Sequence, residues 1–320
     1  MVWIAAALLL LAASASLCLY LAFKQTADRM YKPLSADKPV YVSTDPELRA
    51  RTTKVMEGMT GHPADTEARS EAFTLLLLGV DERPGDRGRT DTILLITVNP
   101  DRARVFQFHI PRDTRTRMVN RGFDDKINHA YAYDGIEGTI AAVEHFLDIP
   151  IDYYVQVNME GFVALVDLLG GVDVDNPFAF EYLGHVFPAG PQHLDGEQAL
   201  KFARMRYDDP RGDLGRNARQ RQVVGDLLRR ASRIDAVRSL PAMLDQAAQH
   251  VRTNVSFDQM KRWIWQLQKK EAVVETTEIR GSGVMLNGIY YFQVSENERQ
   301  RLHQAVKDVL LDLTSDLQFR

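Results

Sequence analysis

Carboxylates and guanidinium groups gather in this sequence at the ends of short apolar runs. Asp81 follows Leu76-Leu77-Leu78-Gly79-Val80, and Asp91 precedes Thr92-Ile93-Leu94-Leu95-Ile96, with an acid- and arginine-rich segment between them. Two converging carboxylates repel each other unless a proton or cation lies between them, and their hard oxygens suit Mg²⁺ or Mn²⁺. The plain alternative is a surface loop of weak ion pairs. A second cluster, Ile110-Pro111-Arg112-Asp113-Thr114-Arg115-Thr116-Arg117, follows another apolar run. Arginine offers a bidentate fork to phosphate oxygens, and a strand end holds that fork more rigidly than a free loop. Solvated surface charge is the competing reading here. Downstream, Asp125-Lys126-Ile127-Asn128-His129-Ala130-Tyr131 adds a cation and an amide.

The third cluster runs from Arg204-Met205-Arg206 through Asp208-Asp209-Pro210-Arg211-Gly212-Asp213 to Arg216, Arg219 and Gln220. Arg216 and Gln220 share a face of the helix they open, with Arg219 adjacent to it. The start of that helix turns amide donors and a positive dipole end outward, which favours anions. Three arginine clusters and two carboxylates suit a polyanion held with a divalent metal. Phosphate transfer asks for that combination of charge neutralisation and positioning.

Other chemistries lack their signatures. The sequence has no G-x-x-x-x-G-K-[ST] phosphate loop, no G-x-G-x-x-G fingerprint and no G-x-S-x-G nucleophile elbow. Its 8 histidines show no zinc spacing, and His109 and His129 alone flank the candidate clusters. Trp263 and Trp265 read as packing residues rather than a sugar platform.

The elements that must carry these residues follow from composition and periodicity. Of 320 residues, 45% are hydrophobic and 26% charged, with 39 basic against 43 acidic side chains. That balance excludes a disordered chain and a binder of bulk nucleic acid. Cys18 is the single cysteine, so no disulfide can form within one chain. Val2 to Phe23 carries no charge, and at about 1.5 Å per residue it spans roughly 33 Å, enough for a bilayer core. An uncleaved transmembrane anchor over 1–23 is the preferred reading; a cleaved signal peptide ending near Ala13-Ser14-Ala15 competes with it. The flanking Lys24, Arg29, Lys32 and Lys38 would by charge count keep the C-terminal part inside.

Residues 24–70 read as a stalk with Pro33, Pro39 and Pro46 and a helix near 47–59. From Phe73 the pattern predicts a strand buried on both faces, then strands over 93–98 and 105–110 joined by a hairpin turn at Asn99-Pro100-Asp101. Helices are predicted over 138–147, after an Asn158 cap, after an Asp195–Gln198 capping box, and over 216–230. Strands at 272–279 and 289–294 precede a closing helix from Glu296. Strands and helices interleave without a strict βαβ rhythm, so residues 71–320 read as a single mixed α/β domain.

These dispersed segments resemble one family. Leu78-Gly79-Val80-Asp81, Gly88-Arg89-Thr90-Asp91-Thr92, Ile110-Pro111-Arg112-Asp113, Lys126-Ile127-Asn128 and Arg204-x-Arg206 through Arg219-Gln220 match, in order and spacing, the LytR-CpsA-Psr family of bacterial cell-wall enzymes. The agreement covers residues 73–230, and Asn287-Gly288-Ile289-Tyr290-Tyr291 looks similar too. Within the family, Asp125–Tyr131 and Asp209–Asp213 resemble the teichoic acid transferases of Bacillus-like Gram-positive bacteria.

The resemblance implies an α-β-α domain with a central sheet and an internal lipid tunnel, for which Phe162 to Leu169 is a candidate lining. It implies transfer of a phospho-glycopolymer, such as wall teichoic acid, from a polyprenyl pyrophosphate carrier to a peptidoglycan sugar hydroxyl. The metal-binding acids then correspond to Asp81 and Asp91, with Mg²⁺ or Mn²⁺ as cofactor. The pyrophosphate-gripping residues correspond to Arg89, Arg112, Arg204, Arg206 and Arg216, with Gln220 beside them. Asp81, Asp91 and Arg112 are the candidate catalytic residues, Asp91 as the group that helps deprotonate the acceptor. Thr90 stands where serine is common. Partners would be the lipid-linked glycopolymer, peptidoglycan and the cytoplasmic membrane, with no nucleic acid. The same resemblance places the N-terminus in the cytoplasm and the catalytic domain outside, against the charge count. A hydrolase of the same pyrophosphate and a non-catalytic polyanion-binding regulator remain the rival readings.

Overall fold

The computed structural model describes residues 20–35, 41–60, 72–83, 86–231, 248–267 and 273–313. They divide into two compact units, the first made of residues 33–156 and 261–320, the second of residues 1–32 and 157–260.

The first unit is built on β1 (Phe73–Arg83), β2 (Asp86–Asn99) and β3 (Arg104–His109), followed by the small ribbon β4 (Arg115–Met118) and β5 (Phe123–Lys126). With β6 (Tyr153–Asn158) and β12 (Val273–Thr276) the main strands order as β6-β1-β2-β3-β12. β1, β2 and β3 run antiparallel, with Leu76 opposite Leu95 and Leu95 opposite Phe108, whereas β12 lies parallel to β3. The sheet is therefore mixed. The predicted hairpin at Asn99-Pro100-Asp101 is present, its Asn99 side chain accepting the Arg102 amide at 3.1 Å.

Side-chain alternation decides how the sheet is covered. Leu76, Leu78 and Val80 are buried, while Leu75 and Leu77 on the other face are only half-buried, so β1 is not buried equally on both faces as its apolar run suggested. On the buried face lie Ile140, Val143 and Leu147 of α2 (His129–Leu147) and Leu302, Val306 and Val309 of α7 (Glu296–Leu310). Each such side chain contributes about 1.5–3 kcal/mol by leaving water. α1 (Pro46–Thr60) adds Leu48 to this core, and Asp45 caps α1 by accepting the Glu47 and Leu48 amides at 2.8 and 3.2 Å. Trp263 stacks on Phe73 at 4.0 Å between centroids, the packing role expected of it. The hairpin of β13 (Ser282–Leu286) and β14 (Ile289–Gln293) turns on Asn287 and Gly288, both at positive φ.

Two expectations need correction here. Of the segment 81–91, read as a loop, residues 81–83 and 86–91 extend β1 and β2 into a β-ribbon, with Asp81 opposite Arg89 and Arg83 opposite Asp86, while 84–85 lie outside the described residues. Its main-chain ladder continues because ladder bonds are indifferent to side-chain polarity. The helix expected over 138–147 opens already at His129, and it breaks at Asp134 and Gly135, the latter at φ 64. A single separate turn, 129–133, results.

The second unit contains α3 (Met159–Leu168), β7 (Val172–Asn176), β8 (Phe180–Tyr182), β9 (His185–Phe187), β10 (Gly190–Leu194), α4 (Gly196–Arg204), α5 (Asp213–Ala231) and β11 (Val251–Thr253). α6 (Phe257–Leu267) leads the chain back into the first unit. β7 pairs with β10, β8 pairs with β9, and Val166, Val174, Phe180, Phe187, Phe202 and Val223 form the core. Both expected caps are present. Asn158 accepts the Gly161 amide at 2.8 Å, and Asp195 and Gln198 form a reciprocal capping box.

Among the described residues no helix is long and apolar enough to cross a membrane. The expected anchor falls mainly on residues 1–19, outside the described residues; residues 20–30 are helical.

Candidate active site

The β1–β2 ribbon sets the first group of residues. Register passes from Gly79 opposite Thr92 to Val80 opposite Thr90, which leaves Asp91 as the extra residue of a β-bulge. A bulge re-aims its side chain out of the strand's alternation. Asp91 therefore escapes the core that takes Thr90 and Ile93, and its side chain stays 39% exposed. Arg112 meets it there, Nη1 donating to Oδ1 at 2.7 Å. The arginine stands on a tight turn after β3, fixed by the Ile110 amide on the Ile93 carbonyl at 2.8 Å and the Thr114 amide on the Pro111 carbonyl at 2.9 Å. Asp81 is half-buried and Arg89 exposed on the neighbouring positions of the same ribbon.

A polar network extends from this turn into β4, β5 and the first turn of α2. The Ile127 amide bonds the Thr114 carbonyl at 2.8 Å, and the Asn128 amide bonds the Arg112 carbonyl at 3.2 Å. Lys126 Nζ pairs with Asp113 at 2.8 Å, and the Asp113 carbonyl accepts the Phe292 amide at 2.8 Å. Asp125 Oδ2 receives Tyr133 Oη at 2.7 Å and lies 2.8 Å from His129 Nδ1. Its Oδ1 receives the Lys126 amide at 2.8 Å and Tyr291 Oη at 3.4 Å. Burial opposes ionisation of Asp125, but the bonds from His129, Tyr133 and the Lys126 amide prevail and hold its carboxyl below the usual range. His109, also considered from sequence, is buried in β3 opposite Leu94.

In the second unit the arginine cluster is organised by a residue outside the expected set. Arg219 is 1% exposed; its guanidinium pairs with Asp209, also donates to the Met205 carbonyl, and bonds the Phe202 carbonyl at 3.0 Å. Burial pulls the Arg219 guanidinium below its usual range, with Asp209 opposing. Asp209 also accepts the Arg211 amide at 2.7 Å, so one buried ion pair shapes the whole 205–212 turn. Gly215 is the partner of this arrangement, since a Cβ there would lie 1.8 Å from Asp209 Oδ2. Arg216 follows, buried, and Gln220 Nε2 bonds the Ala203 carbonyl at 3.3 Å, tying α5 to the end of α4. Arg204 is exposed at that end, and Arg206 stacks over Tyr207 at 4.8 Å.

Of the expected site residues, Asp81, Arg89, Asp91 and Arg112 thus belong to the first unit, and Arg204, Arg206, Arg216 and Gln220 to the second. The sequence reading missed the ordering roles of Asp209, Arg219, Asp113 and Asp125. Their signal was the spacing of Asp125 and His129 and the proline–glycine turn Asp209-Pro210-Arg211-Gly212. Among the described residues no group of three or more His, Cys, Asp and Glu side chains is placed to hold a metal. Asp81 and Asp91 lie on the two paired strands of the ribbon, and one oxygen of Asp91 accepts from Arg112, so any hard cation there would draw most of its ligands from water or phosphate.

The mixed α/β fold sets a carboxylate beside an arginine where a strand-end ribbon meets a turn, an arrangement chemically suited to phosphate-like anions. The chain belongs to the LytR_cpsA_psr family, whose model matches residues 17–308. It is 42% identical over 244 residues to the polyisoprenyl-teichoic acid–peptidoglycan teichoic acid transferase TagU of Bacillus subtilis (strain 168), covering 76% of this chain and 79% of that protein. The crystal structure of B. subtilis TagU matches with a TM-score of 0.62 at 38% identity, over 75% of this chain and 97% of that one. A structure of TagT bound to LI-WTA matches with a TM-score of 0.64 at 28% identity, over 75% and 91%.

Proposed function

We propose that this chain is a glycopolymer phosphotransferase. It moves a phospho-glycopolymer, wall teichoic acid in particular, from a polyprenyl pyrophosphate carrier to a peptidoglycan sugar hydroxyl. The observation that carries this reading is its likeness, at 42% identity across 79% of the relative's length, to a protein named for that transfer. The site chemistry supports it. Arg112, locked on its turn and bonded to Asp91, offers a rigid cation to a phosphate oxygen. Arg89, Arg204, Arg206, Arg216 and Gln220 are assigned the pyrophosphate, and Asp81 and Asp91 the metal. When bound, Mg²⁺ or Mn²⁺ offsets negative charge developing on the phosphate oxygens. Half-buried Phe162, Val163 and Leu165 of α3 are the side chains we assign to the prenyl chain. A membrane anchor over 1–23, with the N-terminus in the cytoplasm and the catalytic part outside, would hold the enzyme beside its lipid substrate and raise the local concentration.

The test is a reconstituted reaction. The full chain in detergent is incubated with a polyprenyl-pyrophosphate disaccharide, peptidoglycan oligomers and Mg²⁺, and the products are weighed by mass spectrometry. A phosphodisaccharide adduct on peptidoglycan, absent with Arg112→Ala, is the expected result. Sugar phosphate without adduct would make the protein a hydrolase, and binding without any product would make it a regulator.

A further inference from the structure

The proposed transfer leaves one task unassigned by the geometry. The acceptor hydroxyl must lose its proton as its oxygen bonds to phosphorus. Asp91 is poorly placed for that task, because Oδ1 already accepts from Arg112 and its remaining oxygen is assigned to the metal. The first turn of α2 presents another group.

His129 opens α2 with Nδ1 2.8 Å from Asp125 Oδ2. That carboxylate is held from four directions, by His129, Tyr133, the Lys126 amide and Tyr291, so it fixes the ring rather than following it. With Nδ1–H directed at the carboxylate, the neutral imidazole keeps its lone pair on Nε2. Nε2 has no hydrogen-bond partner among the described residues, and the side chain is 26% exposed. The break at Asp134 and Gly135 detaches this turn from the rest of α2. Arg121 secures the break by bonding Asp134 at 2.7 Å and the Tyr133 carbonyl at 3.0 Å. The residue before His129 is itself bonded to the arginine turn, through the Asn128 amide on the Arg112 carbonyl at 3.2 Å. Histidine and Arg112 are thereby carried on one hydrogen-bonded scaffold.

We propose that His129, oriented by Asp125, is the general base of the transfer reaction. This rests on the transferase reading above. Nε2 takes the proton of the acceptor hydroxyl as that oxygen bonds to the sugar-side phosphorus. The bond from this phosphorus to the bridging oxygen breaks, and polyprenyl phosphate leaves with the electron pair. The Asp125 carboxylate balances the imidazolium, which then releases its proton to water. Asp125 is a positioning residue, since it acts through the ring.

The ring bonds Asp125 of β5 and lies edge-on to Tyr133 of its own turn. The other charged or titratable groups of the surrounding network are Lys126 of β5, Tyr291 of β14, Asp113 of the arginine turn and Arg121 of the loop before β5. A general base must carry a free lone pair, so adduct formation should fall as the pH is lowered.

Adduct formation by the full chain is followed in detergent against pH for wild type, His129→Ala, His129→Gln and Asp125→Asn. The two His129 variants are expected to lose about a hundredfold or more in kcat with KM little changed, and to lose the acidic limb. Added imidazole should restore part of the rate to His129→Ala alone. Asp125→Asn should lower kcat and displace the limb without abolishing it. Thermal melts confirm that each variant is folded, and Asp125→Asn is read only if it is. A wild-type rate in His129→Gln overturns the proposal. So does a slow His129→Ala that keeps the wild-type pH limb and ignores imidazole, because the ring would then be structural. Failure of the wild-type protein itself to make adduct would instead sink the transferase reading.

Discussion

Arg112 Nη1 donates to Asp91 Oδ1 at 2.7 Å, joining the turn after β3 to the bulge of β2. The contact unites two residues that the sequence assigned to different tasks, one to a metal and one to pyrophosphate. Each holds the other in place, so their contributions to turnover should not be independent.

Asp91→Ala and Arg112→Ala are each expected to lower turnover at least tenfold, roughly 1.4 kcal/mol of transition-state stabilisation. The double variant should lose less than the product of the two, which is the mark of coupled residues. A double-mutant cycle on adduct formation measures this. Multiplicative losses would show that the bond has no part in catalysis.

The buried pair Asp209–Arg219 should matter for stability. Removing the carboxylate leaves a guanidinium uncompensated at 1% exposure, and such losses cost about 3–5 kcal/mol. Asp209→Ala should therefore shift the urea midpoint strongly. Gly215→Ala should do the same by pressing a methyl into the Asp209 carboxylate. Wild-type unfolding curves for both would show that the 205–212 turn is not held by this pair.

Acid should weaken the first unit through Asp45. Burial would raise its pKa, yet bonds from Lys307, the Leu48 and Glu47 amides and His303 lower it from 3.8 to about 2. A depressed carboxylate stabilises the fold fully above its unfolded value and loses that effect as pH falls through the folded value. The contribution is about 2 kcal/mol at pH 6 and fades between pH 4 and 2. Asp45→Ala should lower the melting temperature at pH 6, with the gap to wild type closing toward pH 2. A gap independent of pH would assign the effect to the lost helix cap alone.

The metal assignment predicts that EDTA stops transfer and that Mg²⁺ or Mn²⁺ restores it. Asp81→Asn should raise the Mg²⁺ concentration for half-maximal rate by about tenfold or more, since the neutral amide is a weaker ligand for a hard cation. Full activity in EDTA would remove the ion from the reaction.

Local features could be read directly from the order of residues. Asn158 and the Asp195–Gln198 box announced their helices, because a cap needs only residues three apart. The apolar runs announced β1, β2 and β3, and the ordered motifs announced the family that the comparisons show. Short strands such as β7 to β10 stayed hidden, because three to five residues carry too little periodicity to separate strand from turn.

The fate of the charged residues depends on packing. Of the arginines near Arg204 to Gln220, Arg219 is consumed in the interior by Asp209, while Arg204 stays exposed. Asp91 leaves the core because one residue slips in the pairing of β1 with β2. Asp125 is fixed partly by Tyr291, 166 positions away in the chain. A charge pattern in sequence does not reveal which charges face each other, since desolvation, register and long-range contacts are settled only when the chain is packed.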